Sequence, residues 1–471
     1  MASMRRIVII GAGPAGLSCA LTLQKGKAKP RIVILDRNAR PGGLARSFSF
    51  QGHWFDVGPH RFYTKNPTID AVWKKTLGAA FHPVNRLTRI LYGGKLFSYP
   101  LDAWDVMKKL GPKDVMLSMF SYATAKLRLF RPPAETFTQW VTARFGYRLY
   151  AIFFKTYTEK VWGVSCDNIS AKWAVQRIQN LSIVSLVLSA FNIRPPADPK
   201  SLVRSFYYPV QGSGQMYTRM AELLRKRNVA LRYQSHVMKI HHRAGIITRV
   251  DYVKRGKRIT ETPSHVFSSM PITAFISALS PTPPKAVVAA AASLRYRDHI
   301  TVNLVVHGTS PFPDQWLYIH SPDFQMARVT NYNNFRPHTS SRKTHALSVE
   351  YFVFKEDKLW NAQDSTLVHL AHTELISAGL LSDQKLTGSF VVREADAYPA
   401  YYLGYEKAFD IIKEYAGTFT NVTLIGRGGM YKYNNMDHAM ESGIHAAENY
   451  QHRDTHDLWS INEDGTYLEE K

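Results

Sequence analysis

The sequence predicts a two-domain α/β protein whose first domain is built on a parallel sheet. Three observations carry this. The chain has 471 residues, more than a single hydrophobic core usually organises. Arg6-Ile7-Val8-Ile9-Ile10 is a β-branched run of the kind buried on both faces in parallel sheets. A second such run, Arg31–Leu35, ends in an acid, with one helix-length segment between the two.

That first unit can be read residue by residue. The opening strand leads into Gly11-Ala12-Gly13-Pro14-Ala15-Gly16, and Leu17–Gln24 has helical character. In such a turn the glycines permit the tight reversal, close approach of backbone to a pyrophosphate, and close packing of helix on strand. The helix N-terminus then offers free N–H groups and the positive end of its dipole to the phosphates. Asp36, 20 residues beyond Gly16, stands where a carboxylate accepts hydrogen bonds from an adenosine ribose. Strand, turn, helix, strand and acid together predict a dinucleotide site. Met4-Arg5-Arg6 before an apolar stretch mimics a leader peptide, but the glycines and Pro14 favour strand and turn.

Composition narrows the partners. Sixty basic and 36 acidic residues give a formal charge of +24, which favours anionic partners. The basic residues are scattered, with small clusters at Leu224–Asn228 and Lys254–Arg258, and no nucleic-acid signature accompanies them. A phosphorylated small molecule is therefore the expected partner, with peripheral contact to an anionic membrane and oligomerisation left open. Cys19 and Cys166, with no CxxC, give no disulfide framework and no metal site, and suit a reducing, cytoplasmic setting. The uncharged window Gln179–Ile193 is too short to span a bilayer and reads first as a buried helix.

Beyond the acid comes a second glycine pair, Arg40-Pro41-Gly42-Gly43-Leu44-Ala45-Arg46, then Phe55-Asp56-Val57-Gly58-Pro59-His60. This arrangement resembles the glutathione-reductase-like flavoprotein superfamily, in its amine oxidase branch. The resemblance implies FAD, with Arg40, Gly43 and Arg46 along its pyrophosphate and ribityl chain. It also implies contacts from Ala15, Arg37, Gly42, Leu44, Gly58 and His60. Val229–Ile240 reads as a strand bringing Val237 toward the adenine, and His265–Met270 as another. Near the C-terminus, Asn421–Ile425 leads into Gly426-Arg427-Gly428-Gly429, and a helix runs from about Asn435 to Asn449. Met436 and Asp437 at its start face the flavin pyrimidine in this reading, although Asp437 reads equally as a helix cap.

The expected FAD-binding domain is discontinuous, comprising 1–80, 205–270 and 394–471. The substrate domain comprises 81–204 and 271–393, as helices plus a sheet, with helices over Leu101–Lys109, Pro112–Leu129 and Phe137–Phe154. Within it, Tyr157-Thr158-Glu159-Lys160-Val161-Trp162-Gly163 resembles a stretch of the UDP-galactopyranose mutase family. Gly58-Pro59-His60-Arg61-Phe62-Tyr63-Thr64 is similar to that family's turn beside the isoalloxazine, with Tyr63 replacing a histidine.

By the same resemblance Arg177 and Arg328 grip the substrate diphosphate, and Tyr157, Trp162, Tyr398, Tyr431 and Tyr433 complete the substrate site. His60, Arg177 and Arg328 are the implied catalytic groups. Each has a plainer reading: the arginines as surface ion pairs, the aromatics as core, His60 as a turn residue. The segment from Gln179 to Tyr208 and the pair Ser442-Gly443 look more like the protoporphyrinogen oxidase side of the superfamily.

The implied activity is pyranose–furanose interconversion of a nucleoside diphosphate sugar through a bond between the sugar and N5 of reduced FAD. An external reductant such as NAD(P)H then keeps the flavin reduced. An oxidase or desaturase of the same superfamily is the rival reading. A non-catalytic flavoprotein partner of a glycan-assembly enzyme is the third.

Overall fold

In the computed structural model the described residues are 6–26, 29–127, 133–171, 173, 205–336, 343–452 and 455–462. Arg177 and the Gln179–Ile193 window lie outside them. Five parallel strands form the first sheet, in the order Val422–Leu424, His265–Ser268, Arg6–Ile10, Arg31–Leu35, Ala230–Arg232. Ile7 to Ile10 of its central strand are at most 5% exposed, as the β-branched run predicts. The sheet adds three distant stretches of chain to the two N-terminal strands.

Helices cover both faces. On one lie Pro14–Leu23, Gly214–Lys226 and Met436–His452, sharing a core with Ile7, Ile9 and Ile34. On the other, Ile272–Ala278 and Lys285–Ser293 share a core with Val8, Val33 and Val266. The first and last helices touch backbone to backbone, since a Cβ on Gly443 would lie 2.1 Å from the Ala15 carbonyl.

A seven-stranded mixed sheet forms the second layer, in the order Lys385–Pro399, Tyr296–His307, Thr344–Val353, Arg328–Asn331, Trp316–Ile319, Thr88–Tyr92, Lys95–Ser98. The period of two in Thr344–Val353 assigns its faces. Leu347, Val349, Tyr351 and Val353 join a core capped by Leu367, Ala371 and Leu375 of the helix Asp364–Ser377. Ser348, Glu350 and Phe352 therefore point the other way. A four-stranded sheet, Lys257–Glu261, Ile246–Lys254, Ser235–Arg243 and Leu279–Ser280, completes the larger elements.

Two expected elements are divided. The helix expected over Phe137–Phe154 stops at Phe145, because Gly146 takes φ 77°. It resumes as Tyr147–Tyr150, passes through a wider π turn at Ala151–Lys155 and continues as Thr156–Trp162. The strand expected over Val229–Ile240 is broken at Gln234, φ 53°, into Ala230–Arg232 and Ser235–Arg243. No helix among the described residues is long and apolar enough to cross a membrane.

Candidate functional site

One cavity of about 930 Å³ runs from the glycine turn of the parallel sheet to the polar face of the large sheet. At its first end Gly11, Gly13, Ala15, Asp36, Arg37, Gly43 and Leu44 line the wall. The glycines divide the work. A Cβ on Gly16 would lie 1.9 Å from the Gly11 carbonyl, so Gly16 serves helix-on-strand packing. Gly13 is different: its Cβ would meet only Gly43, at 3.7 Å, an ordinary contact. The protein itself thus tolerates a side chain there, and bareness serves whatever enters the cavity.

The helix at Pro14–Leu23 has Gly13 as N-cap with no side-chain cap, which leaves its first N–H groups for an anion. Asp36 accepts from the Ala12 N–H at 2.6 Å and the Asn38 N–H at 2.7 Å. A carboxylate has about four acceptor positions, so Asp36 can still take a ribose hydroxyl. Burial pushes its carboxyl up from the usual range, against those two hydrogen bonds and the charges of Arg46 and Arg37. Val237 lines the same end, beside a bulge between Val237 and Lys239. These features fit a dinucleotide pyrophosphate and ribose.

The second glycine pair is corrected in part. Arg40 is exposed and off the cavity, its Nη1 3.3 Å from the Ser47 carbonyl and its guanidinium 5.2 Å from the Phe48 ring centre. Arg46 is buried, donating to the Gly43 carbonyl at 2.6 Å and paired with Glu394. Gly42, at φ 114°, lets the chain turn against Arg46 and does not line the wall. Gly58 is also off the wall. It has φ 78°, and its Cβ would lie 2.7 Å from Glu350 Oε2 and 3.3 Å from Arg328 Nη2. Gly58 makes room for an ion pair.

That ion pair is the centre of the far end. Arg328 stands opposite Glu350 in the sheet register and donates from Nε at 2.6 Å and Nη2 at 2.5 Å to its two oxygens. Glu350 is wholly buried and also lies 2.9 Å from His299 Nε2. Burial alone would raise the Glu350 carboxyl, but the Arg328 charge, its hydrogen bonds and His299 outweigh burial and hold it at about 2. Arg328 lines the cavity, and its Nη1 makes no hydrogen bond among the described residues.

Around it the wall is aromatic. Tyr157 stacks on His320 at 4.8 Å and 8°. Trp162 is 2% exposed, and its indole N–H has no partner among the described residues. Arg427 lies 4.9 Å from the ring centres of both Tyr398 and Tyr433, anchored through Nε to the Asn434 carbonyl at 2.8 Å. His60 Nδ1 is 2.9 Å from the Gly58 carbonyl. Burial, with Arg427 and Arg328 adding, lowers the imidazole to about 4. A neutral ring that donates from Nδ1 keeps Nε2 as an acceptor. Gly426, Met436 and Asp437 also line the cavity, between the two ends.

Tyr431 is a correction. It is 2% exposed, absent from the wall, and its hydroxyl oxygen lies within hydrogen-bond reach of the Arg295 and Ala400 carbonyls, at 2.7 and 2.9 Å. It supports the turn that carries Tyr433. In the Tyr157–Gly163 stretch, Lys160 likewise serves the scaffold, with its Nζ 2.7 Å from the Ser321 carbonyl and 3.1 Å from that of Ile319. Glu350 and His299 are the polar groups sequence reasoning missed. Their only signal is a carboxylate inside the otherwise apolar run Val349-Glu350-Tyr351-Phe352-Val353.

Fold and site together define a dinucleotide-binding α/β protein in which a second sheet closes the far end of the nucleotide cavity. Residues 9–76 match the family model of an NAD(P)-binding Rossmann-like domain. The chain is 22% identical over 458 residues to a probable UDP-galactopyranose mutase of Klebsiella pneumoniae, covering 95% of this chain and 94% of that protein. A crystal structure of reduced UDP-galactopyranose mutase superposes with a TM-score of 0.85 at 21% identity, covering 99% of both chains. A putative protoporphyrinogen oxidase from Exiguobacterium sp. superposes at 0.72 and 16% identity, over 95% of this chain and 100% of that one. In fold the chain is like the UDP-galactopyranose mutases, with a Rossmann-like domain joined to a second, mixed sheet.

Proposed function

We propose that the chain binds FAD at the glycine end and, with FAD reduced, interconverts pyranose and furanose forms of a nucleoside diphosphate sugar at the arginine end. The observation that carries the reading is Arg328, fixed through two nitrogens to buried Glu350 with Nη1 left to the cavity. A pre-set guanidinium beside tyrosine hydroxyls suits a diphosphate, which needs charge and directed hydrogen bonds. Likeness to UDP-galactopyranose mutases over nearly the whole chain supports the same substrate class.

In this reading FAD lies along Gly11, Gly13, Asp36 and Gly43, with Met436 and Asp437 at its pyrimidine. When bound and reduced, FAD supplies a nucleophilic nitrogen toward an anomeric carbon. The chain's own residues do the rest. Arg328 and Arg427, with Arg177 from outside the described residues, hold the diphosphate within reach, so departure and return are both local. Tyr157 and Tyr398 stay neutral, because burial raises their hydroxyls, and so orient the diphosphate without adding charge. His60 accepts through Nε2 from a sugar hydroxyl. Residues 1–80, 205–270 and 394–471 form the FAD part, and 81–204 with 271–393 the sugar-nucleotide part.

The test is anaerobic turnover of nucleoside diphosphate sugars, followed by chromatography while the flavin spectrum is recorded. Many turnovers per dithionite-reduced flavin, ceasing on admission of air, are expected. Stoichiometric bleaching by an unphosphorylated substrate, with no isomerisation in any reduced sample, overturns the reading. That outcome favours an oxidase, for which the apolar stretch of wall at Tyr99, Phe137, Phe153, Phe154 and Trp173 gives some support.

A further inference from the structure

On the far side of the last helix (Met436–His452), His445 and Glu448 stand three residues apart and so share a face. The chain beyond the helix returns over them. Asn449 sets its path: Oδ1 accepts from the N–H groups of Thr455 and His456, both at 2.9 Å, and Nδ2 donates to the His456 carbonyl at 2.8 Å. His456 is thus delivered by backbone hydrogen bonds, independent of what its ring touches. Its Nε2 lies 2.9 Å from Glu448 Oε2, and its ring faces that of His445 at 4.0 Å and 9°. One ligand atom from each of the three residues falls within 4.8 Å of the others.

We propose that His445, Glu448 and His456 bind one divalent transition metal ion of the Zn²⁺ class, with water completing the shell. Two imidazoles and a carboxylate suit Zn²⁺, Co²⁺ or Ni²⁺, whereas Mg²⁺ and Ca²⁺ prefer all-oxygen sites. Ligands about 2.0–2.1 Å from a tetrahedral ion stand about 3.3 Å apart; because the lone pairs of the stacked rings lie in nearly parallel planes, binding turns the two imidazoles out of their stack toward the ion. Access is open, since Glu448 and His456 side chains are each 36% exposed.

The ion closes a strap. Residues 455–462 run from this trio to the loop carrying Tyr433. There the Lys432 ammonium donates to the carbonyls of Trp459 and Ile461, and Asn462 Nδ2 donates to the Tyr433 carbonyl at 3.1 Å. Metal at one end therefore restrains the segment that backs Tyr433 at the other. None of this depends on the flavin reading.

The test uses the full chain, stripped with chelator and then titrated with Zn²⁺ by calorimetry and with Co²⁺ by visible absorption. One ion per chain is expected, with Co²⁺ bands of a four-coordinate site and slower amide exchange over 455–462. His445→Gln and His456→Gln should each weaken binding more than the ~10-fold typical of losing a supporting hydrogen bond. His369→Gln, at an exposed position on another helix, should leave it unchanged. Both site variants should fold, because the changes lie at a half-exposed surface. No stoichiometric binding, or binding in both variants as tight as in the unaltered chain, overturns the proposal and leaves a hydrogen-bonded His–Glu pair beside a stacked ring.

Discussion

The two ends of the cavity are built by different means. At the glycine end much of the wall comes from Gly11, Gly13–Ala15, Asp36–Asn38 and Gly43–Ala45, which lie close together in the sequence, with Val237 added from afar. At the arginine end the wall includes His60, Tyr157, Arg328, Tyr398, Arg427 and Tyr433, from a helix, strands and turns far apart in the sequence. The first end depends on what is missing from the chain, the second on charged groups, one of them an arginine held by a buried carboxylate. Damage should therefore look different at the two ends.

The largest contrast lies within the glycine turn. Gly16→Ala places a Cβ 1.9 Å from the Gly11 carbonyl, so it should cost about 3 kcal/mol or more and lower the yield of folded protein. Gly13→Val should fold, since only Gly43 lies near its Cβ, and yet emerge without flavin absorbance. A folded Gly13→Val protein with full FAD content would break the comparison at its first end.

At the other end the loss is electrostatic. Glu350→Gln leaves the Arg328 charge without its carboxylate and should destabilise by about 3–5 kcal/mol in urea melts. Arg328→Met strands Glu350 in the same way. The double variant Arg328→Met with Glu350→Gln should recover most of that stability, because neutral groups of similar volume tolerate burial. It should still bind nucleoside diphosphate about 10- to 100-fold more weakly, matching about 1.5–3 kcal/mol for a charged hydrogen bond. Recovered binding in the double variant would remove Arg328 from the site.

The smallest effect is in pH. Burial holds His60 and His265 at about 4 and His320 at about 3, all below the unfolded value of about 6.5. Above that pH both states are neutral and stability is flat. As pH falls toward 4, the unfolded chain takes protons that the native state refuses, and stability declines. The share of each histidine is roughly 1–3 kcal/mol at pH 4, and His60, beside the open cavity, should contribute least. His60→Gln should shallow the slope between pH 6.5 and 4 without changing the plateau. An unchanged slope would mean that His60 titrates normally.

This difference also explains what was legible in the sequence. The parallel strand, the glycine turn and Asp36 are contiguous, and local geometry ties each to a backbone requirement. Tyr398, Tyr433 and Arg427 were reached only through resemblance, and the cavity does bring them together. Arg40, Gly58 and Tyr431 lie off the wall: Arg40 meets the Ser47 carbonyl, Gly58 makes room for Arg328 and Glu350, and Tyr431 meets the Arg295 and Ala400 carbonyls. Glu350 was invisible because its meaning depends on register with Arg328, 22 residues earlier on the neighbouring strand. Sequence pattern alone does not set such a register.

Asp56 has a consequence of another kind. Its wholly buried carboxylate receives the Ser47 and Tyr208 hydroxyls together with the N–H and hydroxyl of Ser213. Those four donors match the roughly four acceptor positions of a carboxylate. The three partners come from separate elements, and Ser213 Oγ also lies 2.5 Å from the His60 carbonyl. Residues 47, 56, 208 and 213 are thus a single heritable unit. In a descendant that replaces Asp56 with an apolar residue, three buried polar partners lose their acceptor at once. Viable lineages should therefore change the quartet together or leave it alone.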